Sequence, residues 1–183
     1  MVGVLTWPAH GTWLAGPGRG WVDPQGVVEG GVVPEPDAEV SEARRRSLKW
    51  PAVRLDGRQQ RSILEDLARI GVLREFEPVV GVAAADHVHV LLEADADRYV
   101  PRMVQLIKGS LSRMLTVSGG DEAAVTTLGQ AVAHHKWWAR QYSFLRVADT
   151  RSLEAVQRRL LAHEGEGAAV RTDWSEAWRV GEG

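Results

Sequence analysis

Cysteine is absent from this sequence of 183 residues, which excludes disulfide bonds and metal sites built from thiolates. Tyrosine and phenylalanine are scarce, with two of each, whereas tryptophan occurs eight times. No apolar run approaches the length of a membrane helix, and the first residues lack the basic and apolar regions of a secretory signal. We therefore expect a cytoplasmic protein that makes no contact with a membrane.

A strong net charge is also missing, since the formal value is −2 at pH 7. Such a balance does not by itself indicate a nucleic-acid-binding protein. Basic residues are clustered, however, on a predicted long helix and on a predicted strand near the end of the chain. A locally basic face is therefore expected, and its candidate phosphate contacts are Lys108, Arg113, Arg140 and Arg146.

The order of predicted elements indicates one α+β domain. Apolar patterning and breaker residues predict strands at 2–7, 76–85, 87–94 and 138–148, and helices at 58–70, 98–116 and 152–164. This alternation, with a hairpin in the middle, favours a ferredoxin-like antiparallel sheet with helices packed on one face. We predict a domain over residues 1–165 with a long Gly/Pro-rich loop at about 8–40, followed by a C-terminal tail over 166–183.

Two histidines in the segment Asp86-His87-Val88-His89 are the strongest chemical signal. Side chains two positions apart on a strand point to the same face, so His87 and His89 are expected to lie side by side. Two such imidazoles can chelate one divalent metal and leave coordination positions open for phosphate oxygens. The alternative is a pair of exposed strand histidines without a function.

Other landmarks accompany this pair, namely His10-Gly11-Thr12-Trp13-Leu14 near the start and Gln105-Leu106-Ile107-Lys108-Gly109-Ser110 on the long helix. Together they resemble the single-tyrosine HUH transposases of bacterial insertion sequences and their REP-associated relatives, from about Thr6 to Gly165. The resemblance implies an HUH endonuclease-like fold and DNA transposition that acts on single-stranded or hairpin DNA. It also implies a mobile-element origin, a homodimer, and Mg²⁺ or Mn²⁺ as cofactor.

The same resemblance assigns roles to the last predicted helix. In the family a tyrosine there attacks the scissile phosphate, and a polar residue one turn later joins the two histidines as a metal ligand. In this sequence the tyrosine position falls on Arg159, or on Leu160 if the register slips by one, and neither residue can form a phosphotyrosyl-type bond. The ligand position falls on His163 or Glu164, although His163 could equally cap the helix C-terminus.

Three functional hypotheses follow. The first is a transposase-derived DNA-binding protein with impaired or lost strand cleavage, in which Arg159 places a cation near the phosphate. The second is an active metal-dependent nuclease or transposase that uses Tyr142 or a water molecule as nucleophile. The third is a ferredoxin-like domain recruited to a scaffold role without DNA.

Overall fold

The computed structural model describes residues 1–12, 46–95, 99–118 and 136–174. Most of the predicted Gly/Pro-rich loop and the last part of the predicted tail lie outside the described residues. Along the chain, the described residues form β1 (Val2–Pro8), α1 (Gly57–Arg74), β2 (Phe76–Ala83), β3 (His87–Ala94), α2 (Val100–Ser118), β4 (Ser143–Arg146), α3 (Thr150–Ala162), a 3₁₀ turn (His163–Glu166) and β5 (Ala169–Arg171).

The strands form one five-stranded sheet in the order β4-β1-β3-β2-β5. Every neighbouring pair is antiparallel. Because α1 joins β1 to β2 and α2 joins β3 to β4, the first six elements follow the β-α-β-β-α-β order of a ferredoxin-like fold. The predicted α+β class and antiparallel sheet are confirmed.

Both faces of the sheet carry helices. On one face α1 and α2 cover a core that includes Leu5, Val90 and Leu92. The opposite face is covered by α3, whose Leu160 is buried against Val4 and neighbouring apolar side chains. The expectation of helices on one face therefore applies to α1 and α2, whereas α3 forms a third layer. The alternation of strand side chains supplies an apolar surface on each side, which is why both faces can be covered.

The helix ends follow from local hydrogen bonding. Asp56 caps α1 by accepting a hydrogen bond from the Gln59 backbone, and the Gln59 side chain accepts one from the Asp56 backbone. Sequence patterning places the end of this helix at Gly71, but the helix continues to a left-handed Glu75. Gly71 is needed instead for close packing, because a β-carbon there would lie 2.8 Å from the Phe76 carbonyl oxygen. No helix within the described ranges is long and apolar enough to cross a membrane.

The domain extends beyond the boundary predicted at residue 165. Strand β5 pairs with β2, so this part of the predicted tail belongs to the sheet. Trp174 follows it and is buried, with its indole nitrogen donating to the Val79 carbonyl at 3.2 Å. Its ring packs so close to Gly81 that a β-carbon there would lie 2.9 Å from it. Strand β5 was not predicted from the sequence, because three residues are too few to show the alternation of apolar and polar side chains that is typical of a strand.

Candidate metal centre

His87 and His89 lie on the face of the sheet that α3 covers. Strand register places Thr6 of β1 beside His89, and Ser143 of β4 beside Thr6. One row further along the same face, the neighbouring positions are apolar and form the core under α3. The two histidines therefore lie beside the edge of this apolar core, at the end of the sheet that contains the first residues of β3.

The end of α3 brings His163 to the same place. Its ring centroid lies 5.5 Å from that of His87 and 5.1 Å from that of His89, and the His87 and His89 centroids are 4.5 Å apart. One ligand nitrogen from each ring lies within 4.8 Å of the other two. The three imidazoles form a group that could hold a divalent metal ion, with His87 buried and the other two partly buried.

Each imidazole is also hydrogen bonded through its Nδ1 atom to an oxygen. His87 is 2.6 Å from Asp86 Oδ1, His89 is 2.6 Å from Thr6 Oγ1, and His163 is 3.1 Å from Glu166 Oε2. A carboxylate can only accept, so Nδ1 of His87 and of His163 carries the proton in these contacts. The lone pair of each of these two rings is then on Nε2, which is the usual arrangement of metal-binding histidines and their supporting oxygens.

The surroundings of His89 keep it neutral. Burial, followed by the charges of His87, His163 and Arg159, lowers its pKa to about 3, while Asp86 acts in the opposite direction. A neutral imidazole has a lone pair available for coordination, whereas an imidazolium ion has none. At neutral pH His89 is therefore already in the form that binds a metal.

Arg159 is a basic residue of α3 whose charge acts on His89. It is exposed, and it precedes His163 by four positions, which places both residues on one side of the helix. Leu160 points the other way and is buried in the core beneath α3. Glu164, the alternative third ligand, is exposed and lines a separate cleft of about 490 Å³ that also contains Arg61. Of the two predicted third ligands, the structure brings only His163 to His87 and His89.

Tyr142 lies on the far side of the sheet. Phe144 pairs with Leu5 and packs in the core beneath α1 and α2, and Tyr142, two positions earlier, packs against that same core. Burial and the neighbouring Tyr99 raise the pKa of Tyr142, which keeps its hydroxyl protonated. The hypothesis that Tyr142 replaces the missing nucleophile therefore does not fit, because the sheet separates it from the histidines.

The predicted phosphate contacts are spread over the molecule. Arg113 is exposed on α2, and Arg140 is exposed on the segment before β4. Arg146 lies on the edge strand β4, where it pairs with Gly3 of β1. Lys108 differs, since its ammonium group donates to the backbone carbonyls of Ala139, Arg140 and Gln141. Burial, and then the nearby Lys136, lowers the pKa of Lys108 to about 8. Among the predicted DNA contacts, Arg159 is the one whose charge is seen to act on His89.

Lys108 is expected to stabilise the fold through its hydrogen bonds to backbone carbonyls. Lys108→Met should lower the free energy of unfolding by about 2 kcal/mol, because the hydrogen bonds from a charged donor to three carbonyls, of which the one to Ala139 is part-buried, are lost. The measurement is urea unfolding at pH 7. Arg113→Met, on the exposed side of the same helix, should change it by less than about 0.5 kcal/mol. Equal losses in the two variants would contradict this role.

Three supporting residues were missed by the sequence predictions. Asp86 directly precedes the histidine pair, so its position in the motif was the available signal. Thr6 is a polar residue in an apolar strand, but its contact with His89 depends on the register of β1 against β3. Glu166 reaches His163 only because the chain continues as a 3₁₀ turn after α3.

The geometry can be compared with known proteins. The family model described as "Transposase IS200 like" matches residues 55–159, more than half of the chain. The chain belongs to the IS200-like transposase family. The match includes both strand histidines and Arg159 and ends before His163. It agrees with the transposase resemblance inferred from the sequence motifs.

Other comparisons add less. A crystal structure of a proposed transposase from Deinococcus radiodurans R1 aligns with 19% identity over 87% of this chain and 88% of that chain, with a TM-score of 0.41. Among curated proteins none matches this sequence. Family membership gives this IS200-like transposase a DNA-directed, transposition-type function, and the three-histidine group is compatible with the metal dependence of such proteins.

Proposed function

We propose that this IS200-like transposase binds single-stranded or hairpin DNA at its three-histidine site and has lost tyrosine-dependent strand cleavage. The observation that carries the proposal is the position of Arg159, exposed one turn before His163 and electrostatically coupled to His89. A guanidinium there favours binding of a phosphate, since it offers a planar set of donors to two oxygens. It cannot act as the nucleophile.

His87, His89 and His163 would hold a divalent metal, and Mg²⁺ and Mn²⁺ are the ions implied by the resemblance. Such an ion polarises a phosphate oxygen and orients the phosphodiester. The residues of the chain then have separate tasks. Asp86, Thr6 and Glu166 orient the imidazoles, and Arg159 contacts the phosphate group.

Family resemblance also implies a homodimer. Strand β4 is an edge of the described sheet, and Leu145 on it is 61% exposed. An exposed apolar side chain on an edge strand is a natural place for contact with a second copy. The DNA partner is consistent with a cytoplasmic location, which cell fractionation would check.

The test is a set of gels with a labelled hairpin oligonucleotide that carries a single-stranded flank, with and without Mn²⁺. We expect a mobility shift that weakens as salt rises, no nicked strand and no covalent adduct, with light scattering giving two chains per complex. Arg159→Ala should reduce the slope of log affinity against log salt by about 0.7, the value for one phosphate contact on a single strand. Arg158→Ala, one position away on the helix, serves as the matched control and should change the slope less.

Three results would contradict the proposal. A covalent adduct would show that a residue of the chain still acts as the nucleophile. A nick without an adduct would indicate hydrolysis by water and an active nuclease. Absence of any shift, with or without metal, would favour the scaffold role without DNA.

A further inference from the structure

The composition of the three-histidine group suggests which ion it takes. We infer that the site selects a late first-row ion of the Zn²⁺, Co²⁺ or Ni²⁺ type over Mg²⁺, with His163 as the residue that determines this selectivity. The inference rests on the metal centre of the proposed function and concerns its ion rather than its DNA. It departs from the ions implied by the resemblance.

All three candidate ligands are imidazoles. His87, His89 and His163 supply one nitrogen each, and within the described ranges no carboxylate belongs to the group. Mg²⁺ is bound through oxygen ligands and gives up its water reluctantly. Imidazole suits Zn²⁺ and Ni²⁺, and affinity for a nitrogen site rises from Mn²⁺ towards the later ions. A third ligand with an oxygen donor would have made the site far more suitable for Mg²⁺.

The orientation of the rings points in the same direction. The Nδ1 atoms of His87 and His163 donate to the carboxylates of Asp86 and Glu166, which leaves Nε2 of these two rings to face a metal, while Nδ1 of His89 is hydrogen bonded to the Thr6 hydroxyl. Carboxylate partners make an imidazole a stronger base, which strengthens its bond to a soft or borderline ion. Three protein nitrogens with further positions open are the ligand set of several catalytic Zn²⁺ sites.

The local charge also disfavours Mg²⁺. Arg159 acts on His89 with a positive charge, and the carboxylate that acts on the same ring is that of Asp86, which already binds His87. Mg²⁺ is generally held by one or two carboxylates together with phosphate groups. Without DNA, this site offers Mg²⁺ three imidazole nitrogens, with the guanidinium of Arg159 acting on one of the rings. Zn²⁺ gains more from the nitrogen donors themselves and depends less on anionic ligands.

The carboxylate that follows His163 in the sequence lies outside the histidine group. Glu164 follows His163 directly, but it lines the cleft between α1 and β5 together with Arg61 and Arg171. It therefore provides a matched control, since it is adjacent to His163 in sequence and outside the histidine group.

The experiment uses the full chain stripped of metal with EDTA, dialysed, and kept free of DNA. Thermal unfolding is recorded with equal concentrations of Zn²⁺, Co²⁺, Ni²⁺, Mn²⁺ or Mg²⁺, and binding is titrated by calorimetry. We expect Zn²⁺, Co²⁺ and Ni²⁺ to raise Tm and Mg²⁺ to leave it unchanged, with affinities that differ by at least about 100-fold. The visible absorption of bound Co²⁺ gives an independent signature of nitrogen coordination.

The variants assign the selectivity to His163. His163→Glu should narrow the difference between Zn²⁺ and Mn²⁺, and His163→Ala should remove most of the Zn²⁺ response. Glu166→Gln should weaken Zn²⁺ binding about 10-fold through the lost support of the ring. Glu164→Gln should leave the affinity for every ion unchanged. Circular dichroism of each metal-free variant checks that the fold is retained.

Two outcomes would overturn the inference. One is stabilisation by Mg²⁺ equal to that by Zn²⁺, and the other is a full Zn²⁺ response in His163→Ala. DNA plays no part in these measurements, so loss of ion selectivity leaves the proposed DNA binding standing. A protein that responds to no ion would contradict the metal centre itself, whatever the hairpin gels show.

Discussion

Arg159→Tyr is expected to form a covalent protein–DNA adduct that the unaltered chain does not form. Position 159 is exposed, lies one turn before His163 on the same side of α3, and is close enough to His89 for its charge to act there. A tyrosine at this position would present its hydroxyl at the metal centre. The tyrosine oxygen, on losing its proton, would attack the phosphorus and bond to the 5′ phosphate. The bond from phosphorus to the 3′ oxygen would break, and the departing strand would end in a 3′-hydroxyl, as in covalent catalysis.

The measurement is a denaturing gel after incubation with end-labelled hairpin DNA and Mn²⁺ or Zn²⁺. Adduct should rise from an undetectable level to a visible band. Two matched variants sharpen the result. Arg159→Phe has the ring without the hydroxyl, and Arg158→Tyr has the hydroxyl about 100° around the helix. An adduct with Arg158→Tyr and none with Arg159→Tyr would show that the nucleophile position has been assigned to the wrong residue.

Acid is expected to destabilise the metal-free protein through His89. The folded-state pKa is about 3, against 6.5 for an unperturbed histidine such as that of an unfolded chain. Between these values the unfolded chain holds more protons than the folded one, so stability rises with pH and is lost as pH falls from 6.5 towards 3. One full proton corresponds to about 1.4 kcal/mol per pH unit. Over several pH units such a loss is a large part of a total stability of about 5–15 kcal/mol.

Urea unfolding in EDTA at a series of pH values from 7 to 4 would measure this slope. His89→Gln should flatten it, because glutamine keeps a polar side chain beside Thr6 and does not titrate. Arg159→Gln removes the weakest of the influences that lower this pKa and should narrow the pH window only slightly. The same slope in His89→Gln and in the unaltered protein would assign the acid sensitivity to other groups.

Sequence patterning predicted those parts of the fold in which the spacing of apolar residues matches the spacing of the residues that are buried. In α2 the buried residues Met103, Ile107 and Leu111 recur at helical spacing, and the helix forms over Val100–Ser118 against a predicted 98–116. The alternation in β3 likewise placed His87 and His89 on one face. By contrast, the strand predicted over 138–148 shortens to Ser143–Arg146.

The shortening has a physical reason. Trp137 and Trp138 are buried before β4 and are held by hydrogen bonds to the α2 residues Thr116 and Lys108. Tertiary contacts of this kind compete with strand formation, and they cannot be recognised from the alternation of apolar and polar residues in the sequence. Lys108 was predicted as a DNA contact for a similar reason, because a lysine that caps backbone carbonyls looks the same in sequence as one that faces a phosphate.

The candidate site was predictable only in part. His87 and His89 could be paired from spacing alone, since strand geometry fixes their side. Neither the choice of His163 over Glu164 nor the place of Leu160 in the core follows from spacing. Both depend on how α3 is rotated against the sheet, which the packing of its buried face decides.

The location of the three histidines has a consequence for the chain as a whole. His87 and His89 lie in β3, whereas His163 follows α3, so an ion bound to all three would join two distant points of the chain. Such a bridge restricts the unfolded chain much as a disulfide does, and closing a loop of this length is worth roughly 4 kcal/mol in the chain-entropy description. In a protein without cysteine, the metal would then take the place of a covalent cross-link. Chelation should loosen the α3–β5 segment from the sheet before the rest of the domain unfolds.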